Sequence, residues 1–180
     1  MARLFVAIDL PQEVINETIK IQNILKKEDF FQAKYVEIEH FHLTLNFLGE
    51  VEESKIGQLK NILENIKFPS FKANLENVGY FPKEKIKIIW IGIESQELIE
   101  LQKIIQNKLI DLIDLKNEPF IAHLTIARIQ SIKNPEKLKN FIEKIKLSKV
   151  EFTINSFILK DSKLTNNGAI HTNLQIYYLE

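Results

Sequence analysis

The tripeptide His-Leu-Thr occurs twice in this chain, at 42–44 and at 123–125, each time inside an apolar run, Phe41 to Leu48 and Phe120 to Ile129. An apolar run with polar side chains at alternate positions is a strand pattern, because residues i and i+2 share a face while i+1 points away. Each copy therefore sets an imidazole beside a hydroxyl on one face and sends Leu43 or Leu124 into a core. The second copy lies 81 positions after the first in a chain of 180 residues, so each half carries one. Two such strands facing each other make a cleft with two histidines and two threonines.

The flanking segments repeat the same order. Leu4–Ile8 is a continuous apolar run and reads as a first, central strand. Pro11 suits the first position of a helix, and Val14, Ile15, Thr18, Ile21, Ile24 and Leu25 continue at helical spacing to about Lys27. Phe41–Phe47 is the first motif strand, closed by Gly49. Glu52–Ile66 is a second amphipathic helix. Phe71–Tyr80 and Ile86–Ile93 read as strands around the turn Phe81-Pro82-Lys83-Glu84. Ser95 caps a third helix whose core face is Leu98, Leu101, Ile105, Leu109 and Leu112. Phe120–Ile129 is the second motif strand, and Asn134-Pro135 opens a fourth helix as cap and first-turn proline. Val150–Leu159 and Ile170–Leu179 finish the chain as strands around a polar loop, Asp161–Gly168. No linker or charge block divides the chain. The expectation is a single α+β domain over residues 1–180, bilobal and loosely duplicated, with two antiparallel sheets flanked by helices around a central groove.

Composition narrows the chemistry. The chain has no cysteine, which excludes disulfides, thiolate nucleophiles and cysteine zinc sites. Lys+Arg and Asp+Glu are both 24, so net charge gives no case for nonspecific nucleic-acid binding, although a local basic cleft is compatible with it. The apolar start, residues 1–10, has neither a signal-peptide pattern nor a membrane-spanning length. A cytoplasmic protein with no membrane association is expected.

Two histidines can divide general acid–base work, one accepting a proton while the other donates. Hydrolysis of a cyclic phosphodiester needs both roles, on opposite sides of phosphorus. The adjacent Thr44 and Thr125 hydroxyls can donate to non-bridging oxygens as charge develops. No acidic cluster near either motif suggests a metal, and none is required. One His-x-Thr would carry little weight; two copies with the same central residue and apolar flanks carry much more, since buried imidazoles need partners.

The chain resembles the two-histidine (2H) phosphoesterases, and within them the LigT-like RNA 2′,3′-cyclic phosphodiesterases, long called 2′-5′ RNA ligases. RLFVAIDLPQEV, HFHLTLNFLGEV, VGYFPKEKIKIIWIGI, PFIAHLTIARI and SFILKDSKL look like that family's segments in order, nearly end to end. The resemblance implies a bilobal fold with both motifs in a groove, and metal-independent, cofactor-free hydrolysis of a 2′,3′-cyclic phosphate on RNA or a nucleotide to a 2′-phosphate. It also implies His42 as proton donor to the leaving 3′ oxygen and His123 as the base that activates water. The chain departs from the family's tendency at Asn46 (often basic), at Ala122 (often proline) and at Gly168-Ala169-Ile170-His171 (often Gly-Pro-x-Tyr). The first departure removes a possible phosphate contact, and the last puts substrate contacts there in doubt.

Further candidates surround the motifs. Arg128 falls on the Leu124/Ile126 face unless a bulge intervenes, and a guanidinium there can reach phosphate or form an ion pair. Tyr35, Phe81 and Trp90 can stack on a base, with Trp90 expected as core or groove wall. Lys83, Lys85 and Lys87, alternating on one strand face, can guide an RNA backbone or keep an edge strand soluble. Phe5, Phe47, Phe68 and Phe152 read as core. His40 shares a strand face with His42, giving a surface or supporting role rather than a metal ligand. His171 reads as exposed or structural. The leading expectation is the cyclic phosphodiesterase. Its rivals are the reverse reaction, 2′-5′ RNA ligation, and a nucleotide- or RNA-binding module that uses the groove without turnover. No obligatory protein partner is evident, and a monomer is expected.

Overall fold

The computed structural model describes residues 1–115, 119–165 and 168–180. The elements run β1 (Ala2–Asp9), α1 (Gln12–Leu25), β2 (Phe31–Tyr35), β3 (His42–Val51), α2 (Glu53–Glu64), β4 (Phe71–Phe81), β5 (Ile88–Glu94), α3 (Gln96–Leu109), β6 (His123–Ile132), α4 (Pro135–Lys144), β7 (Glu151–Ile154), β8 (Ser156–Thr165) and β9 (Gly168–Tyr178). They form two antiparallel sheets, one of four strands in the order β3-β1-β8-β9 and one of five in the order β2-β6-β5-β4-β7. One motif strand lies in each sheet, and β3 and β6 approach each other between the sheets.

Local chemistry accounts for most boundaries. The Ser95 hydroxyl accepts from the Leu98 N–H and Asn134 Oδ1 from the Lys137 N–H, so both expected caps form. Pro11 stands one position earlier than expected, in the capping place, where its carbonyl accepts from the Val14 and Ile15 N–H groups. Leu112 lies beyond the end of α3. The helices pack across the duplication: α1, which follows β1 of the first sheet, packs on β6 of the second, and α3, which follows β5 of the second sheet, packs on β3 of the first. The fully buried Leu43, Leu124, Ile21 and Leu101 therefore belong to one apolar cluster running through both lobes. Each such side chain contributes about 1.5–3 kcal/mol.

Several segments differ from the sequence reading. β2 has too few apolar residues to announce itself, yet its alternating Phe31, Ala33 and Tyr35 add it to the edge of the second sheet. His40 is not on the His42 strand: residues 38–40 form a short 3-10 turn, and β3 begins at His42. Gly49 does not close β3. The strand continues to Val51, and Gly49 takes φ +71 at a bulge where Leu48 is passed over in the pairing with β1. The run from Val150 to Leu159 is broken at Asn155, where the chain leaves the second sheet for the first. Apolar patterning cannot report such a change of sheet. Most of the expected polar loop 161–168 is strand, since β8 and β9 continue as a two-stranded ribbon, with residues 166 and 167 outside the described residues. Lys83, Lys85 and Lys87 are exposed in the connection before β5 rather than along a strand, and β5 is interior to its sheet, so they protect no edge. Among the described residues no helix is long and apolar enough to cross a membrane.

Candidate active site

A second bulge governs the site. In the β1–β3 pairing Val6 faces Asn46 and Ala7 faces Thr44, so Leu45 is extra. In the β5–β6 pairing Ile89 faces Ala127 and Trp90 faces Thr125, so Ile126 is extra. Both bulges fall three residues after a motif histidine. A bulge reverses the strand's inside–outside alternation. Asn46 consequently turns inward, buried with Oδ1 lacking a partner among the described residues, and offers nothing to the cleft. Phe47, expected in the core, is instead 72% exposed. The corresponding residue of the second half is Arg128, which the bulge likewise brings to the cleft face.

One cleft of about 290 Å³ is bordered by His42, Thr44 and Phe47 from β3 and by His123, Thr125 and Arg128 from β6. Lys34 and Tyr35 from β2, His40 from the 3-10 turn and His171 from β9 complete much of its wall. The four motif side chains thus meet as expected, with Arg128 and Tyr35 beside them. Phe81 is placed against the outer side of His123, ring centroids 5.3 Å apart and perpendicular, and is itself backed by Trp90 at 4.9 Å. Trp90 can lie there because Gly79 has no side chain; a Cβ would come 2.3 Å from the indole. Lys83 stays outside, exposed in its turn.

The two histidines are oriented alike. His42 Nδ1 donates to the His40 carbonyl at 2.8 Å, and His123 Nδ1 donates to the Ile121 carbonyl at 2.7 Å. Each bond reaches two residues back along the chain, fixes the ring and leaves the Nε2 lone pair as the one not committed to the backbone. Burial pushes the His42 imidazole down to about 4, and His171 and Lys160 push the same way, against the bond to the His40 carbonyl and the Asp9 carboxylate. Lys160 is itself buried; its Nζ lies 2.6 Å from Asp9 Oδ1 and 2.8 Å from Asn173 Oδ1. Among the described residues no group of three His, Cys, Asp or Glu side chains is arranged to hold a metal ion.

Three residues of this region escape the sequence reading. Phe47 does so because a bulge is invisible in an apolar pattern. Lys160 carries a signal, a lone lysine directly after the buried run Phe157-Ile158-Leu159, since such a charge is rarely buried unpaired. His171, read as exposed or structural, packs against His42 with ring centroids 5.3 Å apart; the ribbon that delivers it has the polar composition of a loop.

Comparison with known proteins agrees with the duplication. The family model described as LigT like Phosphoesterase matches residues 8–90 and again residues 91–171. The RNA 2′,3′-cyclic phosphodiesterase of Methanocaldococcus jannaschii is 39% identical over 94% of this chain and 96% of its own. That of Archaeoglobus fulgidus is 35% identical over 97% of this chain and 99% of its own. Among solved structures, TT0787 of Thermus thermophilus matches with a TM-score of 0.80 at 26% identity, covering 98% of this chain and 97% of that one. Escherichia coli LigT in apo form matches with a TM-score of 0.80 at 25% identity, over 99% and 97%.

Proposed function

Since this chain belongs to the LigT-like phosphoesterases, its two halves each matched by the family model, we propose that it is an RNA 2′,3′-cyclic phosphodiesterase that yields a 2′-phosphate. The observation that carries the reading is the pair of histidines in one cleft, each with Nδ1 tied to the carbonyl two residues back and a threonine beside it. Water attacks phosphorus opposite the 3′ oxygen. His123 Nε2 takes the water proton as the new P–O bond forms, and His42 gives a proton to the 3′ oxygen as the P–O3′ bond breaks. Thr44, Thr125 and Arg128 donate to the non-bridging oxygens, whose charge grows in the transition state. Tyr35 and the exposed Phe47 offer ring faces to a base. His42 takes the proton it must supply from solvent as the substrate binds: burial keeps the ring neutral at pH 7 in the free protein, and an anionic phosphodiester beside it favours the charged form.

The test is turnover of a short RNA ending in a 2′,3′-cyclic phosphate, with EDTA present. Wild type should release a 2′-phosphate, while His42→Ala and His123→Ala should each lose roughly 10²–10⁴-fold in kcat. A substrate with sulfur in place of the leaving 3′ oxygen needs little protonation, so it should restore His42→Ala and not His123→Ala. The opposite pattern would reverse the two roles, and full activity in both variants would refute the scheme.

A further inference from the structure

His171 has no part in the two-histidine scheme, yet it borders the same cleft. It stands on β9, one edge of the four-stranded sheet, while His42 stands on β3, the other edge. The sheet is curled enough for their rings to meet, 5.3 Å apart at 82°, over Phe5 of β1, one of the two strands between them. Phe5 lies 5.0 Å from the His171 ring and 5.1 Å from the His42 ring. His40 closes the group at 5.5 Å from His171. These contacts fix the ring of His171 by edge-on packing alone, for which a phenyl group would serve.

The nitrogens are left over. Nδ1 of His171 is enclosed and has no hydrogen-bond partner among the described residues, so Nε2 is the nitrogen available to a ligand. Burial, helped by the neighbouring His40 and Lys160, lowers the tendency of this imidazole to charge. In the neutral ring the proton belongs on Nε2, because an enclosed N–H without an acceptor is the costlier arrangement. The result is a fixed N–H donor at the wall of a cleft whose nearest side chains to it are His40, His42 and Lys160, the Asp9 carboxylate being held by Lys160 and the Glu37 carboxylate of the same wall lying 3.8 Å from His40 Nε2.

We propose that His171 is a phosphate-contacting residue of this cleft, its Nε2–H donating to a non-bridging oxygen on the His42 side. The proposal rests on the reading of the cleft as a phosphodiester site, and it adds a third strand to the two motif strands that hold the phosphate. Inorganic phosphate is the probe. Its dissociation constant is measured by calorimetry at pH 7 for wild type, His171→Phe and His171→Gln, with thermal unfolding of each recorded alongside. The phenyl variant keeps the ring contacts and lacks the donor, so phosphate should bind roughly 10–100-fold more weakly. The glutamine variant keeps an N–H and should recover much of the loss. KM for an RNA 2′,3′-cyclic phosphate should rise in parallel with the phosphate constant. Unchanged phosphate affinity in His171→Phe, or an equal loss in both variants, overturns the contact. A wild type that binds phosphate through His171 but turns over no cyclic phosphate overturns the activity and leaves the contact standing.

Discussion

Each motif histidine is oriented from within its own segment. The acceptor for His42 is the carbonyl of residue 40 and the acceptor for His123 is the carbonyl of residue 121, so neither ring relies on a distant carboxylate to select its tautomer. What distinguishes them is environment, and at His42 the environment is unfavourable to charge. The unfolded chain binds a proton there near pH 6.5, whereas the folded protein does so only near 4. Between these values the unfolded state holds more protons, so stability rises with pH. The stability is fully present above about pH 6.5 and is lost progressively as the pH falls toward 4, by on the order of 2–3 kcal/mol. Urea unfolding at pH 7 and at pH 4.5 should show this fall for wild type, and a smaller one for His42→Gln, whose side chain does not titrate. The four motif side chains are legible in the sequence because a repeated tripeptide is a one-dimensional signal. His171 is not, because it joins the site through the curl of a sheet, which no local pattern records, and Lys160 shows only as a lone lysine next to a buried run, without its partners.

At the scale of elements, the paired bulges do more than bend the strands. By passing over Leu45 and Ile126 they allow residues at both +2 and +5 from each histidine to face the cleft, a spacing a regular strand forbids. The sequence reading anticipates this for Arg128 only as an exception, and places its counterpart Phe47 in the core. The strands themselves are legible from alternation, as are the caps at Ser95 and Asn134. β2 is too short and too polar to read, and the change of sheet at Asn155 lies inside a uniform apolar run. The second motif strand also has an aromatic support. Gly79 leaves room for Trp90, which backs Phe81, which packs against His123. Gly79→Ala should displace the indole and cost about 1–3 kcal/mol by overpacking. Trp90 is the single tryptophan of the chain, so its emission reports the displacement directly. Activity toward a cyclic phosphate should fall in the same variant without any change at the motif residues.

At the scale of the whole molecule, the duplicated halves are interlocked rather than side by side. Each half lends a helix to the other's sheet, and buried Gln22 of α1 donates to the carbonyls of Val36 and of Ile126, the bulged residue of β6. The lobes should therefore unfold together. Trp90 fluorescence, which reports the second sheet, and far-ultraviolet circular dichroism should give coincident denaturation curves, and separate transitions would show two independent units. The same stitching has a mechanical consequence. The chain passes from the first sheet to the second at β1–β2 and β3–β4, and back at β2–β3 and β7–β8, so the jaws of the cleft are sewn to each other and a fixed opening is the expectation. Shelter from bulk water must then be supplied by the guest. On the proposed function a nucleoside and its 5′ neighbours would be the stopper, and kcat should climb from a lone cyclic nucleotide to a di- and trinucleotide end before levelling off.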